Sequence, residues 1–372
     1  MIRLLVISNY NKPNSSRPEA EMFLNLAKNP EFDITVMTND GSDYAIKLKA
    51  AGIKIIDFHP VKKNQKSDIT FIRSEIIKGS YHIVHLFSTL SIISGIKACR
   101  KLKIKLVIYR GYTGNVHWYD PSAYFKVLHP RVDYIMCNSQ SVKDQIDRQF
   151  LFNKSKTVVI TKGHDTAWYS KVIAADLDEF GVEKDDFVAT INANHRKMKG
   201  MKYLLKAISM LPSEIKLKLI VFGGNNESIS KYSKMITKNH EKVIYTGFRT
   251  DNLNITSASN VYVSASIKGE SFQKSVAEAM HLGVCPIITD IPGNIGMVKD
   301  KECGLVIPSN NPVAIKDALL YLYSNREKCK EFGLAAQKHI SRNFSNEQTT
   351  QNLAVFYKKI LPTNTFDSKK ER

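Results

Sequence analysis

The sequence predicts an α/β chain built from two doubly wound parallel-sheet domains in series. Three observations carry this. Short β-rich apolar runs alternate with segments whose apolar residues recur at helical spacing, the alternation restarts after about residue 165, and the joining stretch "KGHDTAWYSKVIAADLDEFGVEKDD" is polar. At 372 residues, 43% hydrophobic and 24% charged, the chain can bury two cores without disulfide support.

In the first cycle the strand candidates are "IRLLVIS", "FDITVMT", "KIIDFH", "YHIVHLF", "KLVIYR" and "DYIMCN". Helical spacing appears between them in "EAEMFLNLAKN" (19–29) and "STLSIISGIKACRKL" (88–102), as crossovers between parallel strands require. The second cycle runs "DDFVATINA", helix "MKYLLKAISML", "LKLIVFGG", a helix near 228–239, "KVIYTG", "NVYVSAS", a helix after Glu270, "CPIITD" and "GLVIP". The expected domains are therefore 1–165 and 166–345. A terminal segment, 346–372, opens with the helical pattern "NEQTTQNLAVFYKKIL" and ends in a polar tail.

The five cysteines, Cys99, Cys137, Cys285, Cys303 and Cys329, are odd in number and far apart, with no spacing suited to zinc. They are expected to be reduced core thiols, as in a cytosolic protein. The opening apolar run of six residues is too short for a signal-peptide core, and no later run reaches membrane-span length. A formal charge of +19 is concentrated in the first half, with clusters "VKKNQK" (61–66) and "RKLKIK" (100–105). No zinc-finger, ribonucleoprotein or basic-aromatic pattern supports nucleic acid as the partner. Phosphorylated substrates or the anionic inner face of a membrane fit the charge, and so does a solvated lysine-rich surface with no partner.

Open parallel sheets bind ligands beyond the carboxyl ends of their strands, and two such domains facing each other make a cleft. Three strand ends in the second domain carry unusual residues. After "VATINA", the loop "NHRKMKG" delivers Arg196, Lys197 and Lys199 just before a helix expected to begin near Gly200 or Met201. Cations at a helix N-terminus oppose its dipole unless an anion is shared between them, and a diphosphate would be such an anion; a solvated basic loop is the plainer alternative. The strand "IVFGG" ends on Gly223, where backbone can approach a ligand closely. The third end opens the stretch "SIKGESFQKSVAEAMHLGVCPIITDIPG" (266–293). A helix is expected there from about Ser271 to Leu282, stopped by Gly283, with Glu278 eight residues after Glu270, ~12 Å along the axis and roughly 80° round. At that separation the two acids cannot share a proton or a metal. They can each hold separate hydroxyl groups, with the amides of Phe272, Gln273 and Lys274, next to Ser271, directed at an anion between them. The plainer alternative makes Glu270 a helix-start acid and Glu278 an exposed helix residue.

"GESFQKSVAEAMHLGVCPIITD", taken with "HRKMKG" and "GLVIPSNNPVAIKDALLYL", resembles the retaining glycosyltransferases of family 4, which have the GT-B fold: two Rossmann-like domains facing a central cleft. The similarity is strongest over about residues 155–357. It implies a nucleotide-sugar donor of UDP or GDP type, a glycan or lipid-linked acceptor held by the first domain, no metal and no cofactor, and a final helix that crosses back to the first domain. It implies further that Glu270 contacts the donor sugar, Glu278 holds the ribose, Arg196 and Lys199 bind the diphosphate, and the backbone at Gly247, Phe248 and Arg249 lies near the base.

The chain also departs from that pattern. Gln273 stands where the family has glycine. The family's arginine would fall on Asn194, so whether Arg196 or Lys197 takes its role is open. "NKPNSSRPEAE" (11–21) replaces a glycine-rich loop and offers Ser15, Ser16 and Arg17. Arg110, with His117 nearby, stands where many members place a histidine, either to bind an acidic or phosphorylated acceptor or to pair with a structural carboxylate. His85, at the end of "YHIVHLF", faces the expected cleft, although a histidine at a strand end is more often structural. The "DLD" at 176–178 lies in the polar connection and is not read as a metal site. A GT-B nucleotide-sugar 2-epimerase and a non-catalytic nucleotide-sugar-binding scaffold are the alternative functions. Surface polysaccharide or glycolipid assembly, on the cytoplasmic side and peripheral to the membrane, is the setting that the basic first half suggests.

Overall fold

The computed structural model describes residues 1–11, 13–114, 116–150, 156–192 and 196–362. The chain divides into two compact units, the first made of residues 1–163 and 346–372, the second of 164–345.

In the first unit, β1 (Ile2–Ile7), β2 (Phe32–Thr38), β3 (Lys54–Asp57), β4 (Ile83–Leu86), β5 (Lys105–Arg110), β6 (Tyr134–Cys137) and β7 (Thr157–Val159) form one parallel sheet in the order β3-β2-β1-β4-β5-β6-β7. Helices α1 (Pro13–Leu26), α2 (Asp43–Ala50), α3 (Lys66–Gly79), α4 (Thr89–Ala98) and α5 (Gln140–Asp147) make the crossovers. Strands such as β1 are near-continuously apolar because helices cover both faces. Helix α4 starts where a capping box forms, the Ser88 hydroxyl and Ser91 each satisfying the other's backbone amide. Helix α1 begins at Pro13, whose fixed φ suits a first helical position, inside the stretch expected to be a loop. Ser16 and Arg17 therefore lie in the opening turns of a helix.

In the second unit, β8 (Phe187–Asn192), β9 (Leu217–Phe222), β10 (Val243–Gly247), β11 (Val261–Ser264), β12 (Cys285–Thr289) and β13 (Leu305–Ile307) run parallel in the order β10-β9-β8-β11-β12-β13. They are joined and flanked by α6 (Met201–Ser209), α7 (Asn226–Ser233), α8 (Asn252–Ser257), α9 (Lys274–His281), α10 (Pro312–Ser324) and α11 (Arg326–Asn343). Strand order reverses direction between β8 and β11, which pair at Val261 with Ala189 and Tyr262 with Thr190. Crossovers leave a crevice at such a switch point. The last helix among the described residues, α12 (Asn346–Ile360), returns to the first unit, where Leu353, Phe356, Tyr357 and Ile360 join the core under β1 and β2. All five cysteines are buried and unpaired.

Candidate functional site

The two loops singled out by their charges emerge on either side of the β8/β11 switch point. After β8, Lys197–Lys199 form one turn of 3-10 helix, and Gly200 at φ +70° starts α6. A Cβ at Gly200 would stand 1.8 Å from the carbonyl oxygen of Ala265, so only glycine lets the start of α6 pass over the end of β11. The amide of Ile267 donates to the carbonyl of Met198 at 2.8 Å, stitching the basic loop to the loop that bears Glu270. Gly293 performs the same service from the other side, since a Cβ there would meet the Glu270 carbonyl oxygen at 2.1 Å.

This stitching brings Lys199 and Glu270 into contact. Lys199 Nζ lies 2.7 Å from Glu270 Oε1, with side chains 17% and 14% exposed, and the Ser266 hydroxyl donates to the same carboxylate oxygen at 3.3 Å. Arg196 and Lys197 are exposed and line a different space, a cavity of about 600 Å³ between α6 and α7 that Tyr203, Asn225, Lys231 and Tyr232 share. The basic loop thus splits its charges, one lysine toward the acid and two cations toward the cavity. Asn194 lies outside the described residues, and so do the side chain of Ser15 and the chain after Pro362.

The helix after Glu270 is shorter than its apolar pattern suggests. It spans Lys274–His281, with Gln273 in extended conformation as its N-cap and Leu282 and Gly283 closing it. Glu270 is outside the helix, so the expected axial separation from Glu278 does not apply. Ser271 is buried, and the Phe272 ring turns into the core, 5.3 Å from Phe344 and 6.0 Å from His164. The amide of Gln273 is not directed at an anion, because it donates to Met297 Sδ at 3.3 Å. Packing of this turn against residues 294–297 and 344 overrides helical continuation. Glu278 is not an exposed helix residue either: it is buried, and Lys274, four residues earlier and exposed, pairs with it.

Gln273 occupies its glycine-like position without an orphaned polar group. Its side-chain oxygen accepts from the Ser264 hydroxyl at 2.8 Å, and its amide nitrogen donates to Asn294 Oδ1. Asn294 in turn donates to the Thr289 carbonyl at 2.9 Å, and the Thr289 hydroxyl donates to the Ser266 carbonyl at 2.5 Å. All five residues are buried, so the ends of β11 and β12 and the start of α9 are bolted by one satisfied network. Sequence reasoning did not find Tyr262. Burial pushes its phenol up to about 12, opposed by hydrogen bonds to Ser275 and the Asn192 amide and assisted by Glu278 and Glu270. Both glutamates therefore act on one phenol at the switch point. Only the alternation of "VYVS" could have placed that ring on a defined face.

At the ends of β9 and β10, the Gly223 amide donates to the Gly247 carbonyl at 2.6 Å, and both glycines have positive φ. Phe248 is 82% exposed. The Arg249 side chain is engaged with Asp251 at 2.7 Å and Glu179 at 2.8 Å, so its own charge is spent on structure.

The first-unit candidates separate. His85 does not face an open space: it is fully buried, its Nδ1 2.6 Å from the Tyr357 hydroxyl and its ring against Phe87. Arg110 is buried too, and donates to the carbonyls of Tyr112, at 2.9 Å, and Gly114 instead of to a carboxylate. It nevertheless lines a cavity of about 300 Å³ at the carboxyl ends of β4 and β5. His117 is half-buried and stacks on Tyr119 at 5.1 Å, while Ser16 is buried and its hydroxyl reaches the Asn9 carbonyl at 3.4 Å. Arg17 is half-buried on α1.

Residues 25–168 match the family model Glycosyltransferase Family 4, and residues 173–339 match Glycosyl transferases group 1. An uncharacterised glycosyltransferase of Methanocaldococcus jannaschii is 25% identical over 247 residues, 63% of this chain and 60% of that protein. The UDP-Gal:alpha-D-GlcNAc-diphosphoundecaprenol alpha-1,3-galactosyltransferase of Escherichia coli is 25% identical over 278 residues, 69% of this chain and 70% of that one. Several curated relatives are matched over only 60, 49 and 60% of their length. In fold, a glycosyltransferase of Rickettsia africae superposes with a TM-score of 0.80 at 18% identity, over 97% of this chain and 99% of that one. The Anabaena protein HepE, solved in complex with UDP, gives 0.75 at 16% identity, over 97 and 100%.

Proposed function

We propose, from the premise that this chain is a glycosyltransferase of the GT-B type, that it moves a hexose-type sugar from a nucleotide-diphosphate sugar to a glycan or lipid-linked acceptor, with retention and without a metal ion. The observation that carries this is the meeting of the basic loop with the Glu270 loop at the switch point, Lys199 Nζ standing 2.7 Å from Glu270 Oε1. A pair so placed can re-partner, the ammonium to a phosphate oxygen and the carboxylate to a sugar hydroxyl. As the anomeric bond breaks, charge grows on the departing diphosphate, and the Lys199 ammonium in its partly dry site stabilises it where a divalent ion otherwise would. Glu278, which Lys274 pairs with from one turn earlier, receives the ribose hydroxyls. The acceptor enters on the face from which the phosphate leaves, a phosphate oxygen takes its proton, and neither glutamate is a nucleophile.

The relatives support a nucleotide-sugar donor: HepE has been solved with UDP and with UDP-glucose, and the Escherichia coli relative is named for a UDP-Gal donor and a lipid diphosphate acceptor. Incubation with UDP- and GDP-sugars and a panel of free and lipid-linked glycans, with and without EDTA, tests the proposal. The expected products are nucleoside diphosphate and a lengthened acceptor, at rates EDTA leaves unchanged. Glu270→Ala should lower transfer by about 10²–10³ with the fold intact. Epimerised nucleotide sugar, binding without turnover, or a wild-type rate in that variant would count against it.

A further inference from the structure

Large apolar side chains are exposed at scattered places, but one fourteen-residue stretch of the first unit gathers five of them. Tyr112, Trp118, Tyr119, Tyr124 and Phe125 are exposed by 48, 51, 65, 40 and 68%. They are not a frayed loop. The Trp118 amide donates to Gln149 Oε1 at 3.1 Å, the Tyr124 hydroxyl donates to the Trp118 carbonyl at 3.0 Å, and Asp120 caps the 3-10 turn Pro121–Phe125 through the Ser122 amide. Trp118 meets Tyr119 edge-on at 5.8 Å, and Tyr112 is held under the Arg110 guanidinium at 3.6 Å. Tyr112, Trp118, Tyr119 and Tyr124 are thus each held by a bond or ring contact, at the carboxyl edge of the sheet and beside the cavity lined by Thr89, Arg110, Tyr112 and Lys126, and Phe125 closes the same stretch.

Beside it runs the basic loop after β3. His59 Nε2 lies 2.9 Å from the Ser88 hydroxyl, adjacent to Thr89, which anchors this loop next to the cavity. From there it carries Val61, 73% exposed, and the exposed lysines Lys62, Lys63 and Lys66, with no acid among residues 58–67. Residues 1–163 hold 25 Lys and Arg against 13 Asp and Glu, so the unit's charge has the same sign as this edge.

We propose that this edge of the first unit is a docking surface for an anionic lipid bilayer, with the 112–125 rings seated among the headgroups and the 62–66 lysines on the phosphates. Tryptophan and tyrosine favour the membrane interface because each has an apolar body and a polar tip, and lysines beside them add attraction to anionic lipid. A glycan chain is the weaker occupant, because Phe125 and Val61 offer hydrocarbon with no hydrogen-bonding group. The surface belongs to the first unit and shares no residue with the Lys199–Glu270 site of the second, so its failure would leave the transfer proposal untouched.

The chain has two tryptophans, Trp118 and Trp168. In a Trp168→Phe background of the full chain, Trp118 emission reports on this surface alone. Vesicles of phosphatidylcholine with phosphatidylglycerol should shift that emission to the blue and co-sediment the protein, and phosphatidylcholine alone should do so much less. In the wild-type chain, Trp118→Ser combined with Phe125→Ser should weaken sedimentation roughly ten-fold or more. Lys62→Ala and Lys63→Ala should each weaken it about five-fold, an effect that added salt removes. These side chains are exposed, so thermal melts should not move. Absence of a shift with anionic vesicles, sedimentation unchanged by the ring and lysine substitutions, or a shift produced by soluble polysaccharide but not by vesicles would overturn the proposal.

Discussion

Lys199 and Glu270 are each other's counter-ion in a site that water reaches only partly. Lys199→Ala should therefore cost stability as well as activity, about 1–3 kcal/mol for a carboxylate left without its partner, and Glu270→Ala in the same chain should recover part of it. Urea melts of the two single variants and the double variant measure this. Gln273→Gly, a change toward the family pattern, should not improve the enzyme. It strips Ser264 and Asn294 of a buried partner at about 1–3 kcal/mol each, which a thermal melt would register. His281 adds an acid limit: buried flat against Tyr169 at 4.8 Å, its imidazole is lowered to about 4, chiefly by loss of solvent. Since the folded chain holds the ring neutral and the unfolded chain protonates it near 6.5, stability should be full above that pH and fall toward pH 4, by about 3 kcal/mol at most. His281→Phe should flatten part of that slope in pH-dependent melts. His85, buried and likewise lowered by loss of solvent, should add to the same slope.

Among the elements, those whose pattern is local were legible and those shaped by distant contacts were not. Six strands of each sheet announce themselves as apolar runs, but β7 is only Thr157–Val159 and has no pattern of its own to read. Helix α1 hides its start among prolines and serines, which suggest a loop. Helix α9 loses its first turn because Phe272 finds Phe344 and the Gln273 amide finds Met297, partners that no local window contains. The charged loops were recognisable by residue type, yet that Lys199 would face Glu270 while Arg196 and Lys197 line another cavity depends on how Gly200 lets one backbone cross another. Gly200→Ala tests that crossing. With φ at +70° and a carbonyl 1.8 Å from the new methyl, it should destabilise the second unit by at least ~3 kcal/mol and uncouple Lys199 from Glu270, seen as a lowered melt and lost donor binding.

At the scale of the whole molecule, the two-cycle rhythm was visible because each cycle is a complete parallel sheet with its own core. A nucleotide sugar that binds the native state at a hundred times its dissociation constant should stabilise it by about 2.7 kcal/mol, so a thermal-shift panel of UDP- and GDP-sugars should single out the donor by a rise of several degrees. Among the described residues no helix is long and apolar enough to cross a membrane.

Helix α12 follows the second unit in the sequence but belongs to the first, where it supplies Leu353, Phe356, Tyr357 and Ile360 and the hydroxyl that meets His85. On the ribosome, then, the first unit is completed only after the second has been made. Residues 164–345 are contiguous and can close their core during synthesis, while the sheet of the first unit waits without Leu353, Phe356, Tyr357 and Ile360 until α12 has been made. A chaperone that shields nascent chains should engage that sheet, and its dwell time on the stalled polypeptide should end when α12 emerges.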